Sequence, residues 1–423
     1  MEIYGLGTDE SYSDYSNFGK GNFLWMMRAA ITEWASHNRV NIAWIGSYNP
    51  NQILTNIAAG SKPDIVFAYN AFPQDAQSGL LSLFTDAEYA KLAAVCGNPY
   101  LDVLNYKNQS CGVVYPWNNT QMCYYNRSMF EDYGVKTPLE YFVEGKWTWE
   151  NFYKCMQEMT KDTNADGKID TYGLTGDSWG NLVNPWAMDE NGCLISTIDT
   201  PWMQDFFQMK YDAFSNQYSI DSKNNIQKNT KAPMFAMQLS ECCFYDFTNL
   251  YKTLSNGDKL EVVPLPRWVG ENGESIGFTQ MGVYAMHLLA SCDEREAAVD
   301  LMAYLLQCGI KYMCDYSMGA LECQYAGILG TCDLSATWRK AFAGVLTQRA
   351  KDLVELDNYN PELIGRIIFD YQMSYWSAKS YFNNMDSLTN YQEIIQMPPD
   401  SSIPIIRAKY QAVLDAYNAK YVK

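Results

Sequence analysis

The stretch Ala58-Ala59-Gly60-Ser61-Lys62-Pro63-Asp64-Ile65-Val66-Phe67 carries the clearest sign of architecture. Gly60 stands where a helix ending at Ala59 needs a left-handed C-cap, a conformation glycine adopts without steric cost. Pro63 cannot continue that helix, and Asp64-Ile65-Val66-Phe67 is the short apolar run typical of a strand buried on both faces. Working back, Gln52–Ala59 has helical spacing and Val40–Ile45 reads as another strand. Phe23, Met27, Ala30, Ile31 and Trp34 recur at helical spacing and predict a helix up to about His37. Before it, the polar segment Glu2–Ser16 reads as a short strand followed by a loop. Strand, helix, strand, helix, strand in that order calls for right-handed crossovers and a parallel sheet. The fold class is therefore α/β.

Further along, Thr148 is placed to cap a helix whose inner face is Phe152, Cys155, Met156 and Met159. Trp147 and Trp149 beside it are expected to pack. Asp293 can cap a later helix with Ala297, Ala298, Leu301, Met302, Leu305 and Leu306 on its buried side, and the tail from about Leu353 reads as helical. There is no internal repeat, low-complexity tract or long linker.

A chain of 423 residues suits two domains or one large α/β unit, and its 48% hydrophobic content is ample for a core. The net charge of −17 argues against nucleic-acid or anionic-membrane partners, which need clustered Lys and Arg. No such cluster exists for an anionic ligand either. The only histidines, His37 and His287, make a histidine-rich metal site or catalytic relay improbable. Aromatic residues reach 15%, including 32 Tyr, and the surplus beyond a core suits stacking against the apolar faces of sugar rings. Twelve cysteines show no C-x-x-C pair or zinc spacing, which leaves disulfides or buried thiols open. Charges and glycines interrupt every apolar run well short of a membrane span. Neither a leader nor a lipid-attachment cysteine precedes Glu2, which reads as mature sequence.

Three stretches together resemble the maltose-binding-protein-like group of extracellular solute-binding proteins of carbohydrate ABC importers. The first is Gly60 to Val66, followed by Ala76-Gln77-Ser78-Gly79-Leu80-Leu81. The second runs from Cys111-Gly112-Val113-Val114-Tyr115-Pro116 through Tyr124-Tyr125-Asn126-Arg127, Phe130, Gly134 and Pro138 to Trp147-Thr148-Trp149-Glu150-Asn151-Phe152. The third is Met234-Phe235-Ala236-Met237, then Pro264-Leu265-Pro266 and the helix holding Ala297-Ala298. The resemblance implies a periplasmic-binding-protein-like fold of two discontinuous lobes hinged around a ligand cleft. The N-terminal lobe would comprise 1–118 plus 278–322, and the C-terminal lobe 119–277 plus 323–423.

It further implies ligand contacts, carried over position by position. Tyr69 and Asn70 follow the Pro63–Phe67 strand, and Asn119 lies in the first crossover. Asp177, Trp179 and Trp186 match a region that supplies a carboxylate and an aromatic. Tyr245 is the aromatic nearest a position where relatives carry Trp, Trp376 matches a C-terminal stacking residue, and Asp9 and Glu10 could reach the cleft from the first loop. The implied partners are an oligosaccharide and the transmembrane subunits of an ABC permease. The protein would be a monomer, extracellular and anchored to the cell surface as a lipoprotein, or periplasmic. No catalysis is expected. A glycoside hydrolase, with its paired carboxylates, and the same fold holding a peptide or osmolyte are the alternatives.

Asp162-Thr163-Asn164-Ala165-Asp166-Gly167-Lys168-Ile169-Asp170 follows the calcium-loop pattern D-x-N-x-D-G-x-x-D. Asp162, Asn164, Asp166 and Asp170 would give side-chain oxygens and Lys168 its carbonyl, holding a structural Ca2+. The usual Glu at the twelfth position is replaced by Gly173. A plain Asx/Gly turn is the other reading.

Overall fold

The computed structural model describes residues 1–7, 23–68, 71–96, 98–115, 120–176, 178–220, 226, 234–242, 252–253, 256–277, 279–280, 285–308, 378–379 and 397–422. Its first sheet takes β1 (Glu2–Tyr4), β2 (Ala43–Trp44), β3 (Ile65–Ala68) and the strands Val113–Val114 and Ala285–Leu288. The spatial order is β2, β1, β3, Ala285–Leu288, Val113–Val114. β1, β2 and β3 are parallel, with Ile3 opposite both Trp44 and Ile65. Between them run α1 (Phe23–Asn38) and α2 (Pro50–Ala58), so the crossovers read from the sequence are present. Asn49 caps α2, its side chain accepting from the Asn51 and Gln52 amides, and Gly60 follows with φ +93. Every residue of β3 is buried, as a strand covered on both faces requires.

The sheet is nevertheless not all parallel. Ala285–Leu288 runs antiparallel to β3, with Ala285 opposite Ala68. Local pattern cannot reveal that direction, because a fully buried strand reads the same both ways. Nor does Asp293 cap the next helix: the helical residues begin at 295, and Asp293 pairs instead with Lys62.

The second sheet orders Ser219–Ile220, Thr171–Thr175, Met234–Cys242, Thr120–Asn126, Lys259–Pro264 and Lys252–Thr253. Its first three strands are mutually parallel, and Thr120–Asn126 lies antiparallel between two long partners. The helix Trp149–Met159 packs on it, capped by Thr148 as the sequence indicates. Its five buried residues, Trp149, Phe152, Cys155, Met156 and Met159, each contribute roughly 1–3 kcal/mol of burial. Gly173 is required beneath this helix, since a Cβ there would stand 2.2 Å from the Met156 carbonyl oxygen. Helix Pro399–Tyr421 closes the far side with Ile403, Ile406, Tyr410 and Leu414.

Among the described residues the buried side chains gather in two cores, one around each of these sheets. Strand alternation connects them: Cys123 and Tyr125 enter the second core, while Tyr124 between them packs into the first. The chain passes from one sheet to the other between Val113–Val114 and Thr120–Asn126, and returns before Ala285.

Candidate functional site

Parallel strands align their carboxyl ends, and open α/β sheets hold ligands there. At the carboxyl end of β1 the chain turns through Gly5, whose amide donates to Gly46 O at 2.7 Å. Gly5 has φ +93, and a Cβ would lie 1.9 Å from the Phe67 carbonyl oxygen, so only glycine lets this turn press against β3. Arg28 of α1 reaches under the same turn. Its Nη1 donates to Leu6 O at 3.2 Å and Gly7 O at 3.3 Å, and its guanidinium lies 4.1 Å from the Trp44 ring centroid.

Beyond β3, Ala71-Phe72-Pro73 leads through a cis Phe72–Pro73 bond into α3 (Gln74–Gln77). α3 carries two buried polar side chains, Asp75 and Gln77. Asp75 accepts a hydrogen bond from the Tyr48 hydroxyl, which arrives from the loop after β2. Burial pushes the Asp75 carboxyl up to about 6, against the opposing effect of the Tyr48 bond. Burial, with the charge and bond of Asp75, also raises the Tyr48 phenol. Gln77 points the other way, toward the second lobe: its Nε2 donates to Gly192 O at 2.7 Å, and its Oε1 accepts from the Tyr417 hydroxyl at 2.6 Å. Sequence reasoning missed Tyr48 and Asp75 altogether. Gln77 lies inside a family motif, but nothing local marks its amide as a cross-chain partner.

In the second sheet, the carboxyl end of Thr171–Thr175 leads through Gly176, with φ +98, to a 3-10 turn at Ser178–Leu182. Trp179 sits on that turn, 1% exposed, among the rings of Phe152, Phe206 and Phe214, with centroids 6.0–6.4 Å away. Its indole Nε1 has no hydrogen-bond partner among the described residues. Trp186, 3% exposed, opens the hairpin Trp186–Met188/Leu194–Ser196. Both were expected at the ligand, and neither presents an exposed ring face here. Trp147 and Trp149 pack as expected, the former edge-on to Phe152 at 5.9 Å, the latter donating Nε1 to Pro266 O at 3.1 Å. Asp9, Glu10, Tyr69, Asn70, Asn119, Asp177, Tyr245 and Trp376 lie outside the described residues.

The loop after the Trp149 helix is an exposed turn closed by its own backbone. Lys161 and Thr171 exchange hydrogen bonds at 3.0 Å across its neck. Asp162 Oδ2 accepts from Gly167 N at 2.7 Å, Asn164 Oδ1 from Asp166 N at 2.8 Å, and Asp166 Oδ1 from Lys168 N at 2.8 Å. Asp170 accepts from the Thr163 amide and hydroxyl, which hold its carboxyl below the usual range. The oxygen donors are of the type calcium takes. Among the described residues, however, no three acidic, histidine or cysteine side chains gather around one point. Gly173 explains the missing Glu: that position belongs to the strand packed against Met156.

Cys96, Cys111, Cys123, Cys155, Cys193, Cys292 and Cys308 are thiols rather than disulfides. Burial raises the thiols of Cys111 and Cys123, and pushes those of Cys155 and Cys292 up to about 12. Among the described residues no helix is long and apolar enough to cross a membrane.

Comparison with solved structures finds proteins of similar fold that cover nearly all of this chain. The sugar-binding protein MalE from Xanthomonas citri is 12% identical, with a TM-score of 0.62 over 99% of this chain and 98% of that one. The cyclic alpha-maltosyl-1,6-maltose binding protein from Arthrobacter globiformis is 15% identical, with a TM-score of 0.57 over 98% of each. UgpB from Mycobacterium tuberculosis, solved in complex with glycerophosphocholine, is 12% identical with a TM-score of 0.52 over 98% of each. Sequence comparison with curated proteins gives no match. The profile of the bacterial extracellular solute-binding proteins matches residues 22–307. That match spans well over half of the chain, taking in the whole second sheet and every strand of the first except β1, and the chain therefore belongs to the bacterial extracellular solute-binding protein family.

Proposed function

We propose that the protein captures a neutral oligosaccharide between its two lobes and delivers it to the transmembrane subunits of an ABC importer. It acts as a monomer outside the cytoplasmic membrane, anchored to the cell surface or free in a periplasm, and catalyses nothing. Membership of a solute-binding family across residues 22–307 carries this reading. The tyrosine-rich composition and the net charge of −17 favour a neutral, ring-bearing ligand over an anionic one. Ligand contact is assigned to Tyr69, Asn70, Asn119, Asp177, Tyr245 and Trp376, with Asp9 and Glu10 from the first loop. Trp179 and Trp186 would act from beneath, as the packed wall that fixes the second lobe's share of the site.

A thermal-shift screen against neutral oligosaccharides tests it, because a ligand that binds only the native state must raise the melting temperature. At a hundred times its Kd the ligand adds about 2.7 kcal/mol. A rise with one glycan family supports the reading. A rise with glycerophosphodiesters and none with glycans would replace the ligand and keep the capture role, and release of cleaved sugar would revive the hydrolase alternative. The same screen addresses calcium, which we propose binds at Asp162, Asn164, Asp166, the Lys168 carbonyl and Asp170 as a structural staple. Calcium should raise the melting temperature and chelator lower it, with Asp162→Asn abolishing the difference; identical melting with calcium and chelator leaves a plain turn.

A further inference from the structure

The Gln77 amide joins the two lobes. Gln77 ends α3 in the first lobe and is buried, yet both halves of its amide are spent on the second. Nε2 donates to the Gly192 carbonyl, 115 residues away, and Oε1 accepts from the Tyr417 hydroxyl, 340 residues away. Those two partners form one unit. Gly192 lies in the turn of the hairpin Trp186–Ser196, and Tyr417 lies near the end of helix Pro399–Tyr421. Asn418 fastens the helix to the hairpin by accepting from Leu194 N at 2.8 Å and donating to Leu194 O at 2.9 Å. Shape reinforces the contact. Gly192 has φ +79, and a Cβ there would stand 2.4 Å from the ring of Tyr106, a first-core residue. Met188 of the same hairpin packs against both cores.

We infer that Gln77 is an interlobe clasp whose two hydrogen bonds fix the lobes in this relative position and thereby set how readily the ligand-free protein leaves it. A planar amide bonded at both ends allows one orientation only, and removing one partner leaves that end of the buried Gln77 amide without its bond. Any change in lobe position breaks both bonds together, because they converge on a single side chain. A ligand moves the lobes only by its differential affinity for the two positions, so the clasp adds directly to the gap that binding must overcome or exploit. The inference rests on the proposed capture role, since it concerns a protein that works by lobe movement.

The test is small-angle X-ray scattering of the ligand-free full chain, wild type beside Gln77→Leu and Tyr417→Phe. Tyr417→Phe keeps the ring and its packing, so it reads the hydroxyl alone. The wild-type profile should match the one calculated from this structure. Both variants should depart from it in radius of gyration and in the interlobe peak of the distance distribution. The double variant should go no further than Gln77→Leu, which already removes both bonds. Glycan affinity should change about fivefold or more with the lobe position, the factor expected for one buried hydrogen bond. Scattering profiles of both variants superimposable on wild type would overturn the clasp. A shift in scattering from a protein that binds no glycan would uphold the clasp and remove the sugar reading.

Discussion

Replacing Asp75 with Asn should make the protein more stable at neutral pH and alter how its stability responds to acid. The Asp75 carboxyl has a folded pKa of about 6 against an ordinary 3.8, because it is buried with the Tyr48 hydroxyl as its hydrogen-bond donor. Among the described residues, the other titratable groups that feel its charge, Tyr417 and Cys111, are neutral in this range. Between pH 3.8 and 6 the folded state holds this proton while the unfolded state has lost it, so the Asp75 contribution worsens as pH rises through that window. A rise from 3.8 to about 6 corresponds to about 3 kcal/mol at roughly 1.4 kcal/mol per pH unit. His287 opposes it. Burial lowers its folded pKa from 6.5 to about 4, so its contribution is lost as pH falls through the same interval, by a similar ~3 kcal/mol. In the wild type these two contributions nearly cancel across that interval. The Asp75→Asn variant loses the Asp75 contribution and keeps that of the histidine, so its stability should exceed wild type by about 3 kcal/mol at pH 7 and converge with it near pH 4. For lobes of this size that is a melting-temperature gain of about 6–12 °C at pH 7. Differential scanning fluorimetry from pH 4 to 7.5 measures it, and an unchanging difference between the two proteins at every pH would sink the explanation.

Two further substitutions probe the scaffold. Gly5→Ala must force apart the β1 turn and the Phe67 carbonyl from a 1.9 Å approach at φ +93; a loss of more than ~3 kcal/mol is expected from a backbone clash added to left-handed strain, and unchanged melting would contradict this packing. Phe206→Ala removes the ring shared by Trp149, Trp179 and Phe207; about 3–5 kcal/mol should be lost in chemical denaturation, with little cost if the ring were peripheral.

What could be read from the sequence was what local chemistry determines. Gly60 and Pro63 punctuated the chain where the helix ends and β3 begins, and Thr148 capped its helix, because each acts through its own backbone or the next three residues. The three stretches between Gly60 and Ala298 led to the right family for the same reason, being turns and buried strands in fixed order. The antiparallel entry of Ala285–Leu288 was not legible, since its direction is set by pairing with β3, more than two hundred residues away. Tryptophan type and position brought Trp179 into the candidate site, but hydrophobic spacing cannot tell the inner side of a turn from the outer, and Phe152 and Phe206 claim its ring. Asp75 escaped notice because an isolated acid reads as a solvated one until a fold buries it.

The placement of Ala285–Leu288 between β3 and Val113–Val114 also governs the order in which the molecule can be completed. A ribosome or an export channel releases the amino terminus first, so β1, β2 and β3 emerge long before the strand that must slot in beside them. The whole second sheet is made in the interval. Until residue 288 appears, β3 keeps an open hydrogen-bonding edge, the kind of edge that recruits foreign strands. A chain destined for the outside must remain threadable while it is being exported. Here that delay is written into the topology: the first lobe cannot lock until roughly two thirds of the polypeptide has come through.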